Sequence, residues 1–96
     1  MHLTDNKKHM LKKGDFVISL CGHDKDSVFV VLDTEQNYVI VCDGKNRKSD
    51  KRKRKKFSHV RFLNLHTDVI DKVPSYAVDA NVRREIKRLK AELEQE

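Results

Sequence analysis

The sequence predicts a small, mainly β domain that is followed by one C-terminal α-helix, and three observations support this fold class. A chain of 96 residues holds one modest core. Its apolar residues occur in short runs that alternate with polar turn residues, as in antiparallel strands. From residue 79 onward, the apolar spacing becomes that of an amphipathic helix.

Two strands are predicted in the first third of the chain. In the first, about 16–21, Phe16, Ile18 and Leu20 recur at every second position, which predicts that they share one buried face. The second strand, about 27–33, is apolar on both faces. That pattern is typical of a central strand that is covered on two sides.

Two further strands are predicted on either side of a highly charged connection. The third, about 38–42, follows the second after a short polar turn, so the simplest pairing is an antiparallel hairpin. The fourth, about 57–63, is expected to direct Val60 and Phe62 inward. Residues 45–56 between them are predicted to form a long loop at the rim of the β structure.

Polar extensions are expected on both sides of this β structure, which covers residues 14–66. Residues 1–13 are predicted to form a short N-terminal arm, and residues 67–78 a linker. Residues 79–96 are predicted to form the amphipathic helix, with Asp79 as its N-cap.

The predicted helix carries a narrow apolar stripe at spacings of four, three and four residues: Val82, Ile86, Leu89 and Leu93. A helix of about 15 residues is marginal on its own in water, so the stripe is expected to dock on another surface. The sequence leaves two surfaces open, namely the β structure of the same chain and a protein partner.

Positive charge is concentrated in residues 45–56, which we call the basic segment. Nine of its twelve residues are Lys or Arg and one is Asp, so the segment carries a net charge of +8. Because the whole chain totals +6, the other 84 residues carry −2. Such a block repels itself unless an anion neutralises it, which predicts an anionic partner. The alternative interpretation is a solvated loop or a localisation-type signal.

Residues 14–31 resemble the KOW motif, which consists of a strand, a Gly-centred loop with a basic residue, and a second strand. The matching positions are Gly14 to Val17, Gly22 to Lys25 and Val28 to Val31. The chain is most similar to KOW-type large-subunit ribosomal proteins of archaea and eukaryotes, and to small bacterial KOW-domain RNA-binding proteins. The resemblance extends over roughly residues 10–66.

Two positions depart from the KOW pattern. Asp26 follows the lysine of the loop, where KOW loops commonly have Gly, and it adds bulk and negative charge near any bound phosphate. Phe29 stands where many KOW domains carry a second Gly. An apolar residue at that position is typical of the ribosomal subgroup.

The resemblance implies an SH3-like β-barrel that binds RNA, with large-subunit ribosomal RNA as the expected partner. Lys and Arg side chains would contact phosphates, which position a protein without reading sequence. The expected contacts are the nine cations of the basic segment: Lys45, Arg47, Lys48, Lys51, Arg52, Lys53, Arg54, Lys55 and Lys56. His23, Lys25 and Arg61 are further candidates, for which ordinary surface charge is an equal alternative.

Other chemistries have little support in the sequence. Neither cysteine has ligand-like spacing with a histidine, and no nucleophile–base pair or Gly-rich phosphate loop is recognisable, so we expect no metal, cofactor or enzymatic activity. Cys21 and Cys42 are expected to be reduced and buried in strands of a cytoplasmic protein. No apolar run is long enough to span a membrane.

Exposed aromatic residues are scarce, which favours structured RNA that is recognised through its backbone over a single strand that stacks on aromatic rings. Two rival functions remain. One is a protein-interaction adaptor that uses the β structure and the C-terminal helix. The other is a KOW protein associated with DNA or transcription.

Overall fold

The computed structural model of the chain describes residues 11–95, which form a five-stranded antiparallel sheet with one long helix packed on a face. The strands are β1 (Asp15–Ser19), β2 (Val28–Thr34), β3 (Tyr38–Cys42), β4 (Lys53–Lys56) and β5 (Val60–His66). The helices are α1 (Val69–Lys72) and α2 (Val78–Glu94), and single 3-10 turns occur at Ser49–Lys51, Phe57–His59 and Ser75–Ala77. The predicted mainly β class and the C-terminal helix are confirmed.

The strand order in the sheet is β4-β3-β2-β1-β5, and every neighbouring pair is antiparallel. The hairpin predicted between the second and third strands is therefore confirmed as β2–β3. The two edge strands, β4 and β5, are not paired with each other, so the sheet is not closed.

β2 lies in the middle of the sheet and is buried on both faces, as predicted. One face packs against α2 in a helix-side cluster that contains Phe16, Val28, Val30, Leu32, Cys42, Val78, Val82, Ile86 and Leu89. The other face belongs to a far-side cluster of Leu11, Val17, Phe29, Val31, Val39, Val41, Phe57 and Val60. This second cluster joins residues of β3 and β5, although two strands separate them, so the sheet curls around it.

The prediction that Phe16, Ile18 and Leu20 share one buried face was wrong. β1 lies between β2 and β5, so Phe16 and Val17 are both buried, in the clusters on opposite faces. Leu20 follows the end of β1 and is 41% exposed. The strand ends there because the turn that follows Ser19 directs the chain into β2.

The C-terminal helix docks on the sheet of its own chain, which answers the question that the sequence left open. Val82, Ile86 and Leu89 of the predicted stripe are buried in the helix-side cluster, whereas Leu93 is 46% exposed. The helix begins at Val78 and its N-cap residue is Ala77, so the prediction that Asp79 is the N-cap was wrong. The Asp79 carboxylate binds a distant backbone amide instead.

The segments expected to be extensions contribute to the fold where they are described. The predicted arm lies largely outside the described residues, but Leu11 is buried in the far-side cluster. The predicted linker contains α1 and a 3-10 turn, and its Ile70 and Val73 pack on the helix-side cluster. Within residues 11–95, no helix combines the length and apolar character needed to cross a membrane.

The two cysteines differ in environment, and this gives a testable prediction. Both are free, but Cys42 is buried beneath α2, where desolvation and the nearby Asp79 and Asp43 charges raise the pKa of its thiol to about 12. Cys21 is half-buried in the turn after β1, and not in a strand as predicted. Because the thiolate is the reactive species, maleimide should label Cys21 and spare Cys42 in the native protein, and label both after denaturation. Equal native labelling rates for the two thiols would contradict the packing of α2 over Cys42.

Candidate nucleic-acid interface

The basic segment contains a loop and a strand. Residues 45–52 form a loop that includes the 3-10 turn Ser49–Lys51, whereas Lys53–Lys56 form β4. The prediction of a loop throughout was therefore wrong for the last four residues. Four consecutive cations are tolerated in a strand here because β4 is an edge strand. Its Arg54 and Lys56 are exposed, and charged side chains at a sheet edge discourage pairing with other chains.

The alternation of side chains along β4 separates its four cations onto two faces of the sheet. Lys53 and Lys55 stand opposite Val41 and Val39 of β3, and therefore share the face of the far-side cluster. Lys55 is only 7% exposed. Such a lysine needs a partner for its ammonium group, since an unpaired buried charge is strongly destabilising.

Asp24, in the turn between β1 and β2, is that partner. Its carboxylate accepts hydrogen bonds from Lys53 Nζ at 2.7 Å, Lys55 Nζ at 3.0 Å and Ser19 Oγ at 2.8 Å. Burial would raise the pKa of this carboxyl, but the hydrogen bonds from Lys53, Ser19 and Lys55 outweigh it and hold the pKa well below its usual range. We call this arrangement the Asp24 clamp. It gives two lysines of the basic segment a structural role as ion-pair partners of Asp24.

Arg54 lies on the opposite face of β4 and is held by two partners. Its Nε lies 2.9 Å from Glu35 Oε1, and its guanidinium carbon lies 3.9 Å from the centre of the Tyr38 ring. Both contacts are at the surface, so each is weak, but together they fix the orientation of a planar cationic group.

The loop part of the basic segment is anchored to α2 at two points. At its start, Arg83 donates to the carbonyl of Gly44, whose positive φ of 76° brings the chain close to the helix. At its middle, the Asp79 carboxylate accepts hydrogen bonds from the Ser49 amide at 2.7 Å and the Ser49 hydroxyl at 3.2 Å. The loop is therefore held against the helix and not only between two strands.

The Asp43 carboxylate shapes the loop between these anchors. It accepts hydrogen bonds from the backbone amides of Lys45, at 2.9 Å, and Arg47, at 2.8 Å. This local turn directs the basic side chains that follow toward solvent.

Six cations of the basic segment remain exposed and make no ion pair within residues 11–95. They are Lys45, Arg47, Lys48, Lys51, Arg52 and Lys56. Arg52 alone among them donates a side-chain hydrogen bond within the described chain, to the carbonyl of Ser49. The positive charge expected from the sequence is thus present at the surface, on six side chains.

The three additional candidate residues are exposed but lie in different places. His23 and Lys25 flank Asp24, so the clamp brings their turn beside β4. Arg61 lies on β5, at the other end of the strand order, and no contact given by the structure joins it to the basic segment.

The sequence interpretation missed the carboxylates that organise this surface. The sequence assigns no role to Asp24 within the Gly22 to Lys25 loop, and it predicts Asp79 only as a helix cap. Each binds a group about 30 positions away along the chain, and such a pairing leaves no signal in local sequence patterns. No group of three or more metal-ligating side chains occurs in the part of the chain that the structure describes.

No family model matches the chain, and no curated protein matches it either. The resemblance of residues 14–31 to the KOW motif therefore stays a prediction.

Proposed function

We propose that the protein is a non-catalytic RNA-binding protein of the translation apparatus, which contacts the phosphates of ribosomal or other structured RNA. The observation that carries this proposal is the set of six exposed cations on a short segment that is anchored to both the sheet and α2. A backbone held in this way needs little further ordering when its side chains bind, so less binding free energy is lost to the conformational entropy of the loop.

The same geometry supports backbone contact over base recognition. Lys and Arg bind phosphates and release counterions, which supplies affinity without sequence selectivity. Among the described aromatic residues, Phe16, Phe29 and Phe57 are buried, and Phe62 is partly buried. Tyr38 is covered by Arg54, which leaves Tyr76, at 88% exposure, as the one largely exposed ring of residues 11–95. A row of exposed rings on which several bases could stack is therefore not offered by this part of the chain.

We further propose that the curled sheet is an SH3-like barrel of the KOW type. The first strand lies beside the last, and the far-side cluster joins β3 to β5 across the inside of the curl. These features support the barrel, and the KOW resemblance supports RNA, particularly large-subunit ribosomal RNA, over DNA. Competition between ribosomal RNA and duplex DNA for the protein would separate these two partners.

The adaptor function is the weaker candidate. It requires the apolar stripe of the C-terminal helix to be available to a partner, but Ile86 and Leu89 of that stripe are buried against the sheet. A partner would have to displace α2 from its own chain to reach them.

The proposal is tested by neutralising three exposed cations, with the variant Lys48→Gln, Lys51→Gln and Lys56→Gln. A matched control removes the same charge from Lys72, Arg84 and Arg88, which are exposed outside the basic segment. Binding of a labelled large-subunit ribosomal RNA fragment is measured by fluorescence anisotropy at several salt concentrations.

We expect the segment variant to bind on the order of 10–100-fold more weakly at moderate salt, with a salt slope reduced by about 3. The control should retain its salt slope, because screening leaves distant surface charges only a small effect. Equal losses in both variants would show that net charge alone matters, and unchanged binding of the segment variant would refute the proposal.

A further inference from the structure

A groove of about 550 Å³ lies between the start of the basic segment and α2. Its apolar lining residues are Val28, Ile86 and Ala91. Its walls carry four cations, two carboxylates and two neutral polar side chains: Lys45, Arg83, Lys87, Lys90, Asp43, Glu94, Ser27 and Asn46. We call it the helix groove.

The cations of α2 form a row along one wall of the helix groove. Arg83, Lys87 and Lys90 are spaced by four and three residues, so they lie on one side of the helix. Successive members are separated by about 6 Å and about 4.5 Å along the helix axis. A row of cations suits an extended polyanion, whereas a site for a single small anion would need its donors to converge on one point.

Two of these cations have no competing partner in the described part of the chain. Lys87 and Lys90 are exposed and make no ion pair there. Arg83 is different, because it donates to the carbonyl of Gly44 and so positions the loop that carries Lys45 on the facing wall.

The two carboxylates do not cancel this row. The Asp43 carboxylate already accepts hydrogen bonds from two backbone amides of the loop. Glu94 is the last residue of α2, one turn beyond Lys90, and makes no ion pair with Lys90 within residues 11–95. With four cations and two carboxylates, the lining keeps a net charge of 4 − 2 = +2.

We propose that the helix groove binds a stretch of the RNA backbone, with Lys45, Lys87 and Lys90 contacting phosphates and Arg83 holding the loop in place. This inference rests on the proposed function and extends its binding surface from the basic segment to the C-terminal helix. The continuity of the two surfaces supports it, since the loop of the basic segment is anchored to the helix that forms the other wall.

The test compares two double variants of the full chain that remove equal charge from the same helix. One is Lys87→Ala with Lys90→Ala. The control is Arg84→Ala with Arg88→Ala, whose side chains are exposed but do not line the groove. All four positions are exposed, and Ala is the best helix former, so both variants should fold. RNA affinity is measured with the labelled ribosomal RNA fragment across salt concentrations.

We expect the groove variant to bind on the order of 10-fold more weakly, with a salt slope reduced by about 2, and the control to keep the wild-type slope. In the wild-type protein, bound RNA should protect Lys87 and Lys90 from acetylation by a succinimidyl ester, while Lys72 stays reactive.

Equal behaviour of the two variants, with no protection of Lys87 and Lys90, would overturn the groove assignment. If the variant at Lys48, Lys51 and Lys56 still loses affinity in that case, the proposed function stands without the groove. If wild-type protein fails to bind RNA, both proposals fall. A polyglutamate peptide that binds the groove while RNA does not would identify an acidic protein segment as the occupant, and would also overturn the inference.

Discussion

Replacement of Gly44 by alanine is expected to lower the free energy of unfolding by about 3–4 kcal/mol. Gly44 has a φ of +76°, which costs an L-residue about 1–2 kcal/mol. A Cβ there would also lie 2.3 Å from the backbone oxygen of Asp79 and 3.1 Å from Arg83 Cγ. Because the obstacle is helix backbone, the loop must move away from α2 and lose its anchors.

Gly22→Ala provides the matched control. Gly22 also has a positive φ, of +90°, but an added Cβ would meet nothing closer than Asp24 Oδ1 at 3.6 Å. This variant should therefore show only the backbone cost, about 1–2 kcal/mol. Urea unfolding followed by circular dichroism measures both variants. Equal destabilisation by the two substitutions would contradict close packing of the basic segment on the helix.

The variant Asp24→Asn is expected to lower the free energy of unfolding at pH 7 by about 2 kcal/mol. It keeps the size of the side chain but removes the negative charge with which Lys53 and Lys55 are paired. The Lys55 side chain is only 6% exposed, so its ammonium group cannot regain full hydration without displacing β4. Asp26→Asn is the control, because Asp26 is exposed in the same turn and Asn tolerates its positive φ.

The Asp24 clamp also predicts how stability depends on pH. Its hydrogen bonds hold the native pKa of Asp24 below the value in the unfolded chain, so the unfolded state takes up the proton first as the pH falls. The stabilisation is therefore complete at neutral pH and is lost on acidification below about pH 5. The difference in stability between wild type and Asp24→Asn should shrink toward pH 3. A constant difference between pH 7 and pH 3 would contradict the clamp.

Much of the fold could be predicted because local patterns encode it. β2 is apolar at every position from Val28 to Leu32, which is the pattern of a strand covered on both faces, and the stripe of α2 identifies its buried side. β4 could not be predicted in this way. Its four residues, Lys53–Lys56, contain no apolar alternation, and they form a strand because β3 offers a free edge and Asp24 neutralises two of the lysines.

The composition located the candidate site, but it did not show which of the cations are free to bind a partner. Charge counting identified the basic segment as a whole and treated its nine cations alike. Three of them, Lys53, Arg54 and Lys55, are paired with carboxylates that are distant in sequence. The cations of α2 that line the helix groove, in contrast, are interspersed in the sequence with acidic and apolar residues of the same helix. Only the folded arrangement distinguishes the unpaired cations from the paired ones.

The central claim is that exposed cations of the basic segment bind RNA phosphates, and the salt dependence of RNA affinity tests it most directly. The six contacts of the basic segment predict a slope of about −4 to −5 in a plot of the logarithm of the association constant against the logarithm of salt concentration, and Lys87 and Lys90 of the helix groove would add about −1 to −2. Affinity for the ribosomal RNA fragment should then fall on the order of 10³-fold between about 50 and 200 mM salt. An affinity that stays constant over this range, or the absence of binding at the lower salt concentration, would contradict the claim.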